Sequence, residues 1–100
     1  MTRPLEGRSA LITGASQGLG LGIARAYVAA GASLFLCARD GDALGRARVE
    51  LERLVSGGQT IRTRSTNVAD EADVRALAAD AFRAFPTLDI LVNNAGVQGP

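Results

Sequence analysis

The chain has 100 residues, of which 47% are apolar, and 11 basic against 10 acidic side chains leave a formal net charge of +1. That size allows one small domain or a part of a larger one, and interspersed charges this close to balance give no electrostatic footprint for nucleic acid. No apolar run approaches the ~20 residues that span a bilayer, Met1 to Gly7 lacks the apolar core of a signal peptide, and the lone Cys37 excludes a disulfide framework and fits a reducing, cytoplasmic compartment.

In chain order, Ser9 to Thr13 carries the continuous run Ala10-Leu11-Ile12, which predicts a strand buried on both faces. Thr13-Gly14-Ala15-Ser16-Gln17-Gly18-Leu19-Gly20 follows. Glycines at Gly14, Gly18 and Gly20 let the chain turn tightly and let a ligand approach the main chain, and the helix that opens there points its positive end at the same place. A phosphate site is the functional reading of this stretch, and an ordinary structural turn is the bland one. Leu19, Ile23, Ala26 with Tyr27, and Ala30 recur at helical spacing, which predicts the buried face of that helix, and Gly31 occupies a favoured C-terminal cap.

Ser33 to Ala38 is a second buried-strand run. Asp40 and Asp42 are candidate N-caps for a helix with Leu44, Ala47, Leu51, Leu54 and Val55 on one face, ended by Ser56-Gly57-Gly58. Thr60 to Val68 alternates and predicts a third strand. Asp70 caps a third helix, with Asp73 in a capping-box-like position and a stripe of Val74, Leu77, Ala78, Ala81, Phe82 and Phe85 that Pro86 stops. Leu88 to Val92 predicts a fourth strand leading into Asn93-Asn94-Ala95-Gly96.

Strands alternating with helices of this length imply an α/β fold: a doubly wound, Rossmann-type parallel sheet of four strands in order 3-2-1-4 with three helices. The chain direction reverses between strands 1 and 4, so a crevice opens at their carboxyl ends. The glycine turn and Asn93 to Gly96 both fall there, and this convergence favours a ligand site over a structural turn.

These residues resemble a known family. The glycine turn, Asn67-Val68, Asp89 and Asn93-Asn94-Ala95-Gly96 are similar to the motifs of the N-terminal, cofactor-binding part of short-chain dehydrogenase/reductases, and the likeness extends over essentially the whole chain. The run is also similar to 3-oxoacyl-acyl-carrier-protein reductases. The resemblance implies that main-chain groups of Gly14, Ser16, Gln17, Gly18, Leu19 and Gly20 surround the adenosine ribose and pyrophosphate of a dinucleotide, with the Ser16 hydroxyl adding a contact or merely stabilising the turn. It implies that Asn67 meets the adenine amino group, unless it serves as a strand-end cap, while Val68 brackets the ring. Asn94, Ala95 and Gly96 would lie along the cofactor, and Asn93 would tie strand 4 to its neighbours.

Charge bears on which dinucleotide fits. An NAD-selective site places a carboxylate at the end of strand 2, where this chain has Ala38, followed at once by Arg39. A guanidinium suits a phosphate, so Arg39 points to NADP(H) rather than NAD(H). The bland alternative is an ion pair with Asp40 or Asp42, and Gln17 stands where some NADP-dependent relatives carry a base.

In that family a tyrosine, a lysine and a serine support hydride transfer between the nicotinamide and a carbonyl or alcohol carbon. This chain has no lysine and no histidine, and its only tyrosine, Tyr27, falls on the predicted buried face of the first helix. No catalytic residue and no metal ligand is therefore assigned. The expected domain is residues 1–100 as the incomplete N-terminal part of a Rossmann unit, truncated before its later strands. The resemblance implies a small-molecule carbonyl or alcohol substrate, no membrane partner and a homo-oligomeric full-length enzyme, the chain alone being inactive. The alternative is a non-catalytic nucleotide-binding module, a sensor or interaction unit, on the same fold.

Overall fold

Apolar runs too short for helices and helical stripes too long for strands sort into the expected alternation. The computed structural model describes residues 3–94. Strands β1 (Ser9–Thr13), β2 (Ser33–Ala38), β3 (Ile61–Ser65) and β4 (Ile90–Val92) alternate with helices α1 (Gly18–Ala29), α2 (Gly41–Glu52) and α3 (Glu71–Ala84). All strand pairs are parallel, and the sheet order is β3-β2-β1-β4. Thr13 faces Cys37 across the β1–β2 pair and Ile12 faces Val92 across β1–β4, so the carboxyl ends that matter for a ligand lie level.

Strand pleating divides the apolar residues between two layers. Ala10, Ile12, Leu34, Leu36 and Ile61 point to the face covered by Ala24 and Val28 of α1 and by Leu44 and Leu51 of α2. Leu11, Phe35 and Cys37 point to the other face, beneath Leu77 and Ala81 of α3. Ile12, Leu34 and Leu36 are wholly buried, each contributing about 1.5–3 kcal/mol relative to exposure.

Local chemistry sets the helix ends. The Asp40 carboxylate accepts from the amides of Asp42 and Ala43, and Asp70 does the same for Ala72 and Asp73, each cap being worth about 1 kcal/mol. After α1, Gly31 N–H donates to Val28 and Ala32 N–H to Tyr27, the paired bonds of a Schellman cap. At the sheet's opposite end, the Asp89 carboxylate accepts from Ser9 N–H at 2.9 Å and pairs with Arg8, pinning the start of β4 to that of β1.

The structure moves several expected details. The buried face of α1 is Gly20, Ala24 and Val28, with Ile23 and Tyr27 partly buried beside it, whereas Leu19 is 67% exposed. Small residues every fourth position let the helix lie close to the sheet, and this rotates the contact face one position away from the leucine. Helix α2 stops at Glu52, leaving Leu54 exposed beyond it. Strands β3 and β4 are shorter than their apolar patterns, because only residues facing a partner strand join the ladder. Asp73 forms no capping box: its carboxylate accepts from Asn67 N–H and pairs with Arg64, while the Asp70 amide donates to the Asn67 carbonyl.

Candidate functional site

The glycine turn bends at Gly14 and Gly18, which sit at φ 61° and 59°, a region that side-chain-bearing residues rarely adopt. Gly20 is needed for a different reason. A Cβ there would stand 2.0 Å from the Gly14 carbonyl oxygen and 2.8 Å from Asn94 Nδ2, so only glycine lets α1 begin this close to the end of β1. The turn is also fastened to β2, since Ala15 N–H donates to the Cys37 carbonyl at 3.1 Å.

Helix α1 begins differently from its two neighbours. Its N-cap, Gln17, is extended and makes no side-chain cap bond, and no acidic residue lies in its first turn. The other two helices each spend an aspartate on that end. The partial positive charge of the α1 N-terminus is thus left to whatever occupies the turn, and an anion is the favoured occupant.

Against this turn lies a cavity of about 190 Å³ whose walls include Gly14, Ser16, Gln17, Ala38, Arg39, Thr66 and Val68. Five of the expected site residues, Gly14, Ser16, Gln17, Arg39 and Val68, therefore share one space at the carboxyl ends of β1, β2 and β3. Gly18, Leu19 and Gly20 continue the turn into α1, with the exposed Leu19 side chain outside the core. Asn67 precedes Val68 on the β3–α3 connection. Ala95 and Gly96 lie outside the described residues.

Asn94 reaches the turn from the fourth strand. Its amide N–H donates to Thr13 Oγ1 at 2.8 Å and its side-chain Nδ2 to the Gly14 carbonyl at 3.2 Å. The tie expected of Asn93 is thus shared: Asn93 Oδ1 lies 3.2 Å from Thr13 Oγ1, and Asn94 makes the link to the glycine turn. The two sequence features that pointed to one crevice are bonded to each other.

Charge in the cavity wall comes from Asp40 and from the cation Arg39. Neither Asp40 nor Asp42 pairs with it; Asp40 is occupied by the α2 amides, and no ion pair of Arg39 exists among the described residues. Its backbone is held instead, the Ser65 hydroxyl donating to the Arg39 carbonyl at 2.9 Å. Ala38, at the strand end where a ribose-binding carboxylate would stand, is buried and offers no acceptor side chain.

Cys37, Asp40 and Thr66 also line the cavity, and sequence reading did not place them there. Burial pushes the Cys37 thiol up to about 11, against smaller opposing effects of the Gly14 backbone and Arg64, which disfavours the thiolate at neutral pH. Thr66 is buried, donates its hydroxyl to the Arg64 carbonyl and its amide to the Ala38 carbonyl. Only its place next to Asn67 could have marked it. A larger groove, about 520 Å³, runs between α3 and β4 and is lined by Val74, Leu77, Phe82, Leu88 and Leu91. Its lining is mostly apolar; it reaches Thr13 and Asn93 and shares Val68 with the smaller cavity, but none of Gly14 to Gly20 lines it.

Among the described residues no three His, Cys, Asp or Glu side chains gather as a metal site, and no helix is long and apolar enough to cross a membrane.

Comparison with known proteins gives the family and the fold. The short chain dehydrogenase family model matches residues 8–100. A granaticin polyketide synthase protein of Streptomyces violaceoruber that carries the name ketoacyl reductase 1 is 47% identical over 90 residues, which is 90% of this chain and 32% of that protein. The Pseudomonas aeruginosa RhlG/NADP active-site complex superposes with a TM-score of 0.81 at 38% identity, over 91% of this chain and 35% of the other. A short chain dehydrogenase/reductase from Burkholderia phymatum in complex with NAD superposes with a TM-score of 0.80 at 33% identity, over 88% and 30%. The chain spans about a third of the length of each.

Proposed function

Since the chain belongs to the short chain dehydrogenase family, we propose that it is the cofactor-binding part of an oxidoreductase that uses NADP(H) on a small carbonyl or alcohol substrate. The observation that carries the nucleotide reading is the bonded unit of glycine turn, uncapped α1 and Asn94. Main-chain amides of Gly14 to Leu19 and the α1 N-terminus hold the pyrophosphate, and the Ser16 hydroxyl adds to them. Asn67 and Val68 flank the adenine, and Asn94, Ala95 and Gly96 run along the cofactor toward the nicotinamide. The bound dinucleotide supplies the hydride; the residues present here bind and orient it.

NADP(H) is favoured over NAD(H) by the pair Ala38–Arg39. A guanidinium with no ion pair among the described residues suits a 2′-phosphate bidentately, and an alanine in the position of the ribose-binding carboxylate removes one source of repulsion toward that phosphate, the Asp40 carboxylate beside it being held by the α2 amides. The titration that tests this compares NADPH and NADH in the full-length protein, wild type and Arg39→Ala. Wild type is expected to bind NADPH at least tenfold more tightly, roughly the 1.5–3 kcal/mol of a charge-assisted hydrogen bond, with the preference gone in the variant. Equal affinities in wild type would contradict it.

Residues 1–100 are then the first part of a larger Rossmann unit, acting in a cytoplasmic, homo-oligomeric enzyme. The larger unit is supported by the relatives' length and by the apolar groove beside β4, which further strands and helices would cover. Catalytic serine, tyrosine and lysine would be supplied beyond Pro100. Reading the downstream coding sequence for a serine followed by Tyr-x-x-x-Lys separates the enzyme from a non-catalytic nucleotide-binding module.

A further inference from the structure

The β3–α3 connection is held by more polar bonds than a surface turn requires. Asn67 N–H donates to Asp73 Oδ2 at 2.7 Å, the Asn67 carbonyl accepts from Asp70 N–H at 3.0 Å, and Asn67 Oδ1 accepts from Ala69 N–H at 3.0 Å. Of these partners only Asp73 reaches back from within α3, and it does not act alone. Arg64, on the α3 face of β3, donates from Nη1 to Asp73 Oδ1 at 2.8 Å and from Nε to Asp80 Oδ2 at 2.9 Å, and Nη1 also lies 3.2 Å from Thr66 Oγ1. The Arg64 and Asp73 side chains are 26% and 29% exposed, so the pair is partly shielded from water.

A structural purpose alone explains this poorly. Attaching α3 to the edge strand needs one ion pair, and Arg64–Asp80 already supplies it, two turns deeper into α3. The Asp73 arm instead ends on the backbone of the residue that adjoins the cavity wall at Val68. With its amide, carbonyl and side-chain oxygen all engaged, Asn67 keeps its Nδ2 donor and one remaining lone pair of Oδ1 for a partner, in a fixed direction. Fixing that direction before binding lowers the ordering cost of recognition.

We propose that Arg64 and Asp73 are positioning residues that set the β3–α3 turn so that Asn67 and Val68 meet the base of the dinucleotide. This rests on the nucleotide reading of the cavity and deepens it. The Arg64 guanidinium and the Asn67 amide both hold the Asp73 carboxyl below the ordinary carboxylate range, so the anchor stays ionised through the neutral range. Neither residue touches the cofactor; they act through Asn67.

Binding by the full-length protein tests it, with NADPH followed by calorimetry and reduced nicotinamide mononucleotide, which has no adenosine, followed by ligand NMR. Asp73→Ala is expected to weaken NADPH about tenfold while leaving the mononucleotide unchanged. Asp73→Asn, which keeps an acceptor for the Asn67 amide, should recover NADPH binding to within about threefold of wild type. Should Asp73→Ala fail to fold, Arg64→Lys carries the test, since an ammonium keeps the charge but cannot bridge two carboxylates, and NADPH binding should fall severalfold with the mononucleotide unaffected. NADPH affinity within twofold of wild type in folded Asp73→Ala or, where that variant fails to fold, in Arg64→Lys, or an equal loss for both ligands, would overturn the positioning role alone. Wild type that binds no dinucleotide at all would overturn the nucleotide reading, and this inference with it.

Discussion

Asn94 and Gly14, eighty positions apart in sequence, are joined by a 3.2 Å hydrogen bond from the Asn94 side-chain amide to the Gly14 carbonyl. The bond fixes the mouth of the crevice between β1 and β4, and Gly20 makes room for it.

Gly20→Ala should therefore be destabilising although alanine is the better helix former. The new Cβ would meet the Gly14 carbonyl oxygen at 2.0 Å, and backbone cannot swing aside as a flexible side chain can. Overpacking of this kind costs about 1–3 kcal/mol, more than the ~1 kcal/mol gained in helix propensity. Denaturant titration should show the lower stability, and dinucleotide binding should fall with it. An unchanged midpoint and affinity would mean the turn is looser than described.

Arg64 holds Asp73 below its ordinary value of 3.8. A carboxylate depressed in the folded state contributes stability that is present above the unfolded value and lost as pH falls through the folded one. Acid unfolding should accordingly steepen below about pH 4, and Asp73→Asn should flatten that limb. The check is a series of denaturant midpoints between pH 2 and 6 for both proteins.

Cys37 behaves in the opposite sense. Its thiol rises from 9.0 to about 11 through burial, so stability is full below pH 9 and is lost as pH climbs toward 11, where the unfolded chain ionises first. At pH 8 the native thiolate fraction is on the order of a hundredfold below that of the unfolded chain. Alkylation followed by mass spectrometry should find Cys37 inert in the native protein and modified once denaturant is added.

Leu91 is 65% exposed on β4, Phe82 is 55% exposed on α3, and both line the large groove. An apolar strand edge beside an apolar helix face favours self-association. The 100-residue chain expressed by itself should elute as oligomers or aggregates, and Phe82→Glu with Leu91→Lys should shift it toward monomer. A sharp, reversible monomer transition for the unmodified chain would count against the proposed incomplete domain.

Much of this architecture was legible because the signals are local. Ala10-Leu11-Ile12 and Leu34-Phe35-Leu36 can be buried only as strands between two layers, and Asp40 and Asp70 announce the helices they cap. The α1 face was misread because Gly20 and Ala24 carry no apolar bulk in sequence, yet their smallness is what brings the helix onto the sheet. Asp73 looked like a capping-box residue because its spacing from Asp70 fits one. The competing partner, Arg64, comes from the neighbouring strand and is visible only once β3 and α3 are packed. The same holds for Asn94, whose role depends on a carbonyl at the far end of the chain. Thr66 and Cys37 gave no sign of lining the cavity, since residues near the carboxyl end of a strand reveal their surroundings only through the crossover.

The central claim is that the main chain between β1 and α1 grips the pyrophosphate of a dinucleotide. Backbone amide spectra of the isotope-labelled full-length protein, recorded during NADPH titration, test it most directly. The largest shifts are expected at Gly14 to Gly20, with a second group at Arg39 and at Asn67 and Val68. Saturable binding that leaves the Gly14 to Gly20 amides unmoved, or no binding at all, would contradict it.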